Sequence, residues 1–309
     1  MTITSSVGGV DLLTIGETML LVTPPPGGEL HLDGPLVLSA GGAESNVAIA
    51  AAAHGLSTAW YSRVGAGSLG ELVRSSISRY GVDTSHVRVV ASHPTGLMVK
   101  DPSPSGSRVQ YYRAGSAAST MTPDDLAGLP SARVVHTSGI MAALSPTCRQ
   151  LLQQLVRGAL APARVSFDIN FRSALWASPA DAASVLHAIA ADADIVFVGR
   201  DEAETLWGTP TADAVRALFP DVPTLIVKDG DVEAVEYTGD TRARVPAHVV
   251  DVVEPVGAGD AFAAGWLSGM LRGLDAEQRL RQGHDAAAAV LQSHTDQAPL
   301  PVPTLGERS

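Results

Sequence analysis

The chain has 309 residues, of which 45% are hydrophobic and 17% charged, so it can bury a large core and is too apolar to be intrinsically disordered. Its 32 acidic residues outnumber its 21 basic residues and no basic run occurs, which argues against nucleic acid or an anionic membrane as a partner. The single cysteine, Cys148, excludes an internal disulfide and is assigned no role. The N-terminus carries no basic segment followed by an apolar core, and no run reaches the ~20 apolar residues of a membrane span, so we expect a cytoplasmic protein.

The beginning of the chain predicts two short strands followed by an alanine-rich helix. Residues 11–22 form an apolar run that a Gly-Glu pair interrupts. The sequence GGAESNVAIAAAAHG follows at residues 41–55. In it, Gly41 and Gly42 permit a close backbone approach, and Asn46 offers both a donor and an acceptor. Asn46 is therefore either a ligand for a polar group or only a residue at the start of the helix.

The next part of the chain predicts a small sheet set apart from the main body. After a strand at residues 57–65, a helix at 68–81 and a strand at 82–90, two extended runs flank the turn-rich DPSPSG as a β-hairpin. This hairpin, together with residues 17–38, can form a separate sheet because strand follows strand without an intervening helix.

Three side chains at the end of the hairpin are of interest. Alternation along a strand places Tyr111 and Arg113 on one face and Tyr112 on the other. An arginine that shares a face with a tyrosine indicates a bound carboxylate or phosphate, although such a tyrosine pair can also serve packing alone.

From residue 132 onward, apolar strands alternate regularly with helices. This order predicts a parallel sheet with helices on both faces and a ligand crevice at the carboxyl ends of the strands. Polar side chains follow the predicted strands at just these ends, where functional loops concentrate. They are Asp168, Asn170, Arg172, Glu202, Lys228 and Asp229.

A glycine-rich turn follows a last predicted strand at residues 248–253 and opens a helix of small residues. Backbone N–H groups of Gly257, Ala258 and Gly259 can point into one concavity, which the helix start makes a place for an anion. Asp260 directly after this turn is either a helix cap or the base that takes a proton from a hydroxyl attacking phosphorus. The chain contains neither a GxxxxGK[ST] loop nor a GxGxxG fingerprint in its first strand-to-helix turn.

The motifs GGAESNVAIA and VGAGDAFAAG resemble the two signature patterns of the ribokinase-like carbohydrate kinases, the PfkB family. The resemblance covers almost the whole chain and implies a three-layer α/β/α fold with a mostly parallel central sheet and a small β-sheet lid. Within the family, GGAESN, YYRAGSAAS and DINFRSALW look most like 2-keto-3-deoxygluconate kinases. The activity implied is ATP-dependent transfer of a phosphoryl group to the primary hydroxyl of a sugar acid.

The resemblance also implies a role for individual positions. Asp260 would be the general base, and Gly257, Ala258 and Gly259 would form the anion hole. Sugar hydroxyls would be held by Gly41, Gly42, Asn46 and Asp260, and the acid end of the substrate by Tyr111, Arg113 and Arg172. Glu202 would act on Mg²⁺ through water. Lys228, Gly230 and the helix at residues 276–292 would line the adenine and ribose pocket of ATP, and Gly257 and Gly259 would also contact the nucleotide.

The domain boundaries follow from the same resemblance. Residues 1–16, 39–90 and 115–309 would form the α/β core, and residues 17–38 and 91–114 would form the lid. In relatives the lid often builds a dimer, so we expect a homodimer or higher homo-oligomer.

Some positions depart from the family pattern. Glu254 and Pro255 stand where the family has Asp-Thr, which makes a monovalent cation site doubtful, and Gly199 replaces the companion asparagine of Glu202. Met98 stands where many ketodeoxygluconate kinases have a tyrosine. Two alternatives stay open: a fructokinase or other neutral-sugar kinase, and a non-catalytic sugar sensor that kept the fold.

Overall fold

The computed structural model describes residues 9–102 and 108–293. The first part of the chain contains strands β1 (Val10–Ile15), β2 (Met19–Thr23), β3 (Val37–Gly41), β4 (Thr58–Tyr61), β5 (Arg63–Gly65), β6 (Arg88–Val90), β7 (Leu97–Asp101) and β8 (Arg108–Tyr112). The later strands are β9 (Ala132–Ser138), β10 (Arg164–Asp168), β11 (Ile195–Gly199), β12 (Thr224–Asp229), β13 (Glu233–Thr238) and β14 (Thr241–Pro246). The helices are α1 (Ala43–Ala53), α2 (Ser68–Ser78), α3 (Gly139–Leu144), α4 (Pro146–Val156), α5 (Pro179–Ala191), α6 (Arg200–Trp207), α7 (Ala212–Leu218), α8 (Ala258–Leu271) and α9 (Ala276–Leu291).

The central sheet has the strand order β14-β13-β12-β11-β10-β9-β1-β4. Strands β12 to β4 in this order run parallel, and β13 and β14 add an antiparallel edge. Alternate residues of the strands face opposite helical layers, because side chains of a strand point to the two faces in turn. Leu13 and Val135 pack in the layer that contains α4 and α5, whereas Leu12 and Val134 pack in the layer that contains α1 and α8. The predicted three-layer α/β fold is confirmed.

A second sheet has the order β3-β2-β7-β8, and we call it the small sheet. Strands β7 and β8 form the predicted antiparallel hairpin, whose turn at residues 103–107 lies outside the described residues. The small sheet joins the core through Leu20, which packs with Ile49 and Trp60. The predicted boundaries between core and lid stay a prediction.

The strands predicted at residues 57–65 and 82–90 are divided or shortened. The first is two strands, β4 in the central sheet and β5 in a two-stranded sheet with β6. In the second, residues 88–90 form a strand and Asp83 makes a single bridge to Ala59 of β4. A buried carboxylate stabilises the separate pair. Arg63 of β5 and Arg88 of β6 both bind Asp125, at 2.7 and 2.8 Å, so the two short strands share one charged partner.

The prediction of a strand at residues 248–253 is wrong. This segment leaves the edge strand β14 and forms no ladder with any strand of the described residues. Its valines at 249, 252 and 253 are exposed. Backbone N–H groups of Val253 and Glu254 donate instead to the carbonyl of Leu291, at 2.8 and 3.3 Å. An apolar run becomes a strand only where another strand can pair with it.

Among the described residues, none of the helices combines the length and apolar character required to cross a membrane.

Candidate active site

The two glycine-rich motifs meet at one hydrogen bond. Asn46 Nδ2 donates to Asp260 Oδ2 at 2.9 Å, although the residues lie 214 positions apart. Asn46 is in the first half of α1, which begins after the extended residue Gly42, and Asp260 is in the first turn of α8. The two helices lie on the same face of the sheet and share one apolar cluster. The fold thus brings one residue of each motif into contact.

The start of α8 has the geometry of an anion site. Gly257, the residue before the helix, has a φ of 84°, a left-handed conformation that glycine adopts without strain. Ala258 and Gly259 then begin a helix of 14 residues, whose first N–H groups have no partner within the helix. A Cβ atom on Gly259 would lie 3.6 Å from Lys228 Nζ, so an ammonium group stands beside this helix start.

Lys228 is held in place by a buried carboxylate. Its Nζ lies 2.8 Å from Oδ2 of Asp168, which is buried at the carboxyl end of β10. Burial alone would lower the pKa of Lys228, but Asp168 and Glu202 outweigh it and the pKa is raised. Asp168 also accepts from the N–H of Asn170, a non-glycine residue with a φ of 41°. Lys228 therefore stays a cation beside the helix start.

Glu202 organises the loops next to this pair. Its carboxylate accepts the N–H of Gly199 at 3.0 Å and that of Phe171 at 2.9 Å, and Arg172 Nη1 lies 3.6 Å away. Burial raises the pKa of Glu202, and the negative charge of Asp168 raises it further. The fold thus joins the ends of β10 and β11 through one carboxylate. Arg172 itself is 56% exposed, so it is available to a ligand.

Asp260 is a stronger base than an ordinary aspartate. Burial raises its pKa to about 6, the hydrogen bond from Asn46 lowers it, and the charge of Asp168 raises it. At neutral pH the group is a carboxylate whose basicity suits proton abstraction from a hydroxyl. Its side chain stays partly accessible to solvent, so a small hydroxyl compound can reach it.

Arg113 is already engaged by a carboxylate that the sequence analysis did not anticipate. Its Nε lies 2.7 Å from Oε2 of Glu17, and its Nη2 binds the same oxygen. Glu17 is buried between β1 and β2 and also accepts from the hydroxyl of Ser116. The pattern showed Glu17 only as part of an interruption between two strands. A polar residue that breaks an apolar run was the available signal.

Two other predicted substrate residues, Gly41 and Tyr111, lie in the small sheet. Gly41 ends β3, and a Cβ atom there would meet Met98 Cε at 2.3 Å. Met98 pairs across the hairpin with Tyr111, whose side chain is 52% exposed.

Gly230, a predicted nucleotide residue, lies in the turn between β12 and β13 of the central sheet and has a φ of 50°. A Cβ atom added there would have no described atom within 4 Å.

Glu44 is another buried carboxylate that the sequence analysis missed. It is fully buried in α1 and its Oε1 accepts from Ser138 Oγ at 2.6 Å. Burial raises the pKa of Glu44 to about 7. The hydrogen bond from Ser138 lowers this pKa, and the negative charge of Asp260 raises it. Gly16 leaves room for it, since a Cβ there would meet the carboxylate at about 2 Å. The available signal was an acidic residue inside the GGAESN motif.

A separate surface cavity of about 500 Å³ lies far from these groups. It is formed at the amino ends of β10 and β11, and Arg157, Arg164, Asp192 and Asp194 are among its lining residues. Basic and acidic side chains both line this cavity, and none of the predicted site residues is among its lining residues.

The chain matches the sequence profile of the pfkB family carbohydrate kinase over residues 11–303. The protein belongs to this family. The family and the enzyme class predicted from the motifs are confirmed: the chain is a carbohydrate kinase, and so a phosphotransferase.

The relatives of this kinase are named for several sugars. It is 33% identical to a 2-dehydro-3-deoxygalactonokinase from Haloferax volcanii, over 93% of both chains. It is also 33% identical to a 2-dehydro-3-deoxygluconokinase from Bacillus subtilis, over 94% of this chain and 93% of that protein. A probable fructokinase-2 from Arabidopsis thaliana is 30% identical over 88% and 85% of the two chains.

A solved structure of a PfkB protein from Polaromonas sp. JS666 superposes on this kinase with a TM-score of 0.83. The two chains are 32% identical, and the match covers 92% of this kinase and 97% of that protein.

Proposed function

We propose that this kinase transfers the γ-phosphoryl group of ATP to the primary hydroxyl of a sugar acid such as 2-keto-3-deoxygluconate. The observation that carries the proposal is the position of Asp260. A carboxylate would repel a phosphate that merely bound at the start of α8, yet it is useful there as the base of a phosphoryl transfer. Its bond to Asn46, at 2.9 Å, sets a sugar-hydroxyl ligand next to that base.

The proposed reaction needs little covalent chemistry from the protein. Asp260 accepts the proton of the primary hydroxyl while the hydroxyl oxygen bonds to the γ-phosphorus. The bond from that phosphorus to the bridging oxygen breaks, and ADP leaves with the electron pair. The N–H groups of Gly257, Ala258 and Gly259 stabilise the charge that gathers on the transferring group, and Lys228 adds a positive charge beside them.

Family membership supports ATP as the phosphoryl donor. We assign its phosphates to Lys228 and the start of α8, and its adenine and ribose to the neighbourhood of Gly230 and α9. Mg²⁺ prefers oxygen ligands, keeps several waters and binds to one or two carboxylates and the substrate phosphates. Glu202 and Asp168 supply such carboxylates, so the donor set fits Mg²⁺ held by Glu202 through water; when bound, the ion supplies charge neutralisation. A monovalent cation is not part of the proposal.

An acidic substrate is favoured by two arginines near the site. Arg172 is exposed and can form the paired hydrogen bonds that suit a carboxylate. Arg113 and Tyr111 would complete the acid site from the small sheet. The keto acid kinases among the relatives support the same substrate class.

A neutral sugar is the second candidate, and one observation favours it. Arg113 is neutralised by Glu17, so it brings less net positive charge to a substrate than its position alone indicates. The fructokinase relative points in the same direction. A sugar sensor without turnover is the third candidate, and the basic Asp260 argues against it.

The test is an ADP-release assay with ATP and Mg²⁺ against 2-keto-3-deoxygluconate, 2-keto-3-deoxygalactonate, fructose, ribose and adenosine. We expect a keto acid to be preferred and Asp260→Ala to lose several orders of magnitude in kcat with nucleotide affinity retained. Arg172→Met should raise KM for the acid ~10²-fold, because a charged hydrogen bond is lost, whereas Arg157→Met serves as the matched control.

If fructose or ribose is preferred and Arg172→Met leaves KM unchanged, the assignment of Arg172 to a substrate carboxylate is wrong, while the kinase activity stands. Undiminished turnover by Asp260→Ala would remove the proposed base.

A further inference from the structure

Lysine is rare in this chain, and both lysines lie near the same helix start. Of the 21 basic residues, only Lys100 and Lys228 are lysines. Lys228 lies beside Gly259, as described above. Lys100 comes from the small sheet, on β7, and its Nζ forms an ion pair with Oε2 of Glu254. Glu254 is only three residues before Gly257, so the small sheet and the segment leading into α8 are joined by a charge pair.

This ion pair is sheltered from solvent. The side chains of Lys100 and Glu254 are 14% and 18% exposed. Fully exposed pairs contribute little because water and salt screen them, whereas a sheltered pair is screened less. Loss of one partner would leave the other charge partly buried without compensation. The pair therefore has more influence on local geometry than an ordinary surface pair.

The same carboxylate also contacts the backbone of the turn before α8. Oε1 of Glu254 accepts the N–H of Val256 at 3.3 Å, and the N–H of Ala258 lies 3.4 Å from the carbonyl of Pro255. The next residue, Gly257, has the left-handed φ of 84°. The direction of the N–H groups at the start of α8 depends on this turn. Glu254 thus connects Lys100 to the geometry of the anion site.

The segment that carries Glu254 has few other attachments. It pairs with no strand of the described part of the chain, and several of its valines are exposed. Its backbone bonds to the carbonyl of Leu291, and His248 binds Asp285 of α9 at 2.8 Å. A segment with few buried contacts can adopt another arrangement at low cost. The contact with Lys100 is then well placed to select one arrangement.

Lys100 also shares a face with the residues expected to meet the sugar. On β7, Lys100 and Met98 are two positions apart, and Met98 pairs with Tyr111 of β8. Alternation along the strand therefore puts these side chains on one face of the small sheet. A substrate that binds against this face and the carboxylate of Glu254, which binds Lys100, therefore both contact the hairpin of β7 and β8.

We propose that Lys100 and Glu254 are positioning residues that make the anion hole at Gly257–Gly259 depend on the position of the small sheet. With the sheet over the site, Lys100 holds Glu254 and Glu254 holds the N–H of Val256, so the N–H groups of the hole point at the γ-phosphate. With the sheet withdrawn, the carboxylate is released and the hole loosens. The proposal rests on the proposed kinase function, and it links enclosure of the sugar to readiness for phosphoryl transfer.

The kinetic test uses Lys100→Met, Glu254→Gln, the charge-reversed pair Lys100→Glu with Glu254→Lys, and Lys100→Arg. We expect each neutral variant to lower kcat about tenfold or more while the KM for the sugar changes less than ~2-fold, because the interaction acts in the transition state. Lys100→Arg and the reversed pair should return kcat to within ~3-fold of wild type. The exposed Glu29→Gln is the matched control and should leave kcat unchanged.

A binding measurement tests the link between the two ligands. In wild type, the preferred sugar should tighten binding of a non-hydrolysable ATP analogue by ~5-fold or more, and in Lys100→Met this factor should fall toward 1. Peptide mass spectrometry after reductive methylation gives a readout that is independent of turnover, since only two lysines can react. Lys100 should react slowly in wild type and faster in Glu254→Gln.

The outcomes separate the two proposals. If wild type phosphorylates a sugar but the neutral variants keep its kcat, or the reversed pair is no better than the single variants, the positioning role is overturned and the kinase function stands. If Lys100 reacts equally fast in wild type and Glu254→Gln, the ion pair is overturned. If wild type phosphorylates no sugar at all, both the proposed function and the positioning role are overturned.

Discussion

At the scale of single residues, the proposed chemistry depends on Asp260 and on the groups that set its basicity. Burial raises its pKa to about 6, and Asn46 and Asp168 act on it in opposite directions. The same residue is therefore costly to bury and useful as a base. Asp168 has a second effect, because it also holds Lys228 beside the start of α8. Replacement of either neighbour would change both the charge and the geometry of the site.

The raised pKa of Asp260 predicts a pH dependence. The base must be ionised, so kcat/KM should fall about tenfold per pH unit as the pH drops below about 6. The hydrogen bond from Asn46 lowers this pKa, so Asn46→Ala should move the inflection to higher pH. The measurement is kcat/KM from pH 4.5 to 8.5 with a buffer of constant ionic strength. An inflection that is unchanged in Asn46→Ala would contradict the assignment.

The raised pKa of Asp260 also affects the pH dependence of the free energy of unfolding. Because the folded chain binds this proton more tightly than the unfolded chain does, ionisation of Asp260 destabilises the fold as the pH rises from the ordinary value of 3.8 through about 6. Asp260→Asn should therefore raise Tm above about pH 6 and lose that advantage near pH 4.

At the scale of elements, α8 depends on a glycine at each end. Gly257 precedes the helix with a φ of 84°, and Gly273 follows it with a φ of 80°. Both are conformations that a Cβ atom makes unfavourable by roughly 1–2 kcal/mol. The proposed anion hole includes only Gly257, so the two ends have the same backbone strain on substitution but different proposed functions.

This contrast gives a matched pair of variants. Gly257→Ala and Gly273→Ala should each lower the free energy of unfolding by about 1 kcal/mol, seen as a fall of a few degrees in Tm. Only Gly257→Ala should lower kcat, by ~10-fold or more, because displaced N–H donors no longer meet the transferring phosphoryl group. Equal kcat in the two variants would mean that the start of α8 is not the anion hole.

At the scale of the whole molecule, one face of the small sheet is only partly covered by the core. Leu20 on this face packs against Ile49 and Trp60, whereas other side chains of the same face are exposed. Strand register places Leu38 and Tyr112 on the face opposite Lys100 and Tyr111. Leu38 is 52% exposed and Tyr112 is 60% exposed. Leu38 is on β3 and Tyr112 on β8, the two outer strands of this sheet, and large exposed apolar side chains on one face of a sheet indicate an interaction site. We propose that a second copy of the chain covers this face.

The expected assembly is a homodimer or a higher homo-oligomer, measured as molar mass by light scattering after size exclusion. Leu38→Glu should shift the mass toward that of a monomer, because a charge in an apolar interface is costly to bury. Val89→Glu is the matched control, since Val89 is equally exposed but lies on the separate β5–β6 pair, and it should leave the mass unchanged. A monomeric wild type at the same concentration would contradict the proposal.

Much of this architecture is encoded locally. Buried strands, alternation with helices and the two glycine-rich motifs follow from side-chain periodicity and backbone freedom over short stretches, so they could be predicted without the fold. The failed strand at residues 248–253 marks the limit of this reasoning. Its apolar pattern is typical of a strand, but a strand also needs a neighbour, and the sheet order of residues 9–102 and 108–293 provides none for this segment.

The sequence by itself determined the fold class, the kinase family and the residue types at the ends of the strands. Tertiary structure alone decided which of them meet: Asn46 with Asp260, Lys228 with Asp168, Arg113 with Glu17, and Lys100 with Glu254. The physical reason is separation along the chain. Propensity and periodicity act over a few residues, whereas an ion pair between distant positions exists only after the sheet order and helix packing bring its partners to one place.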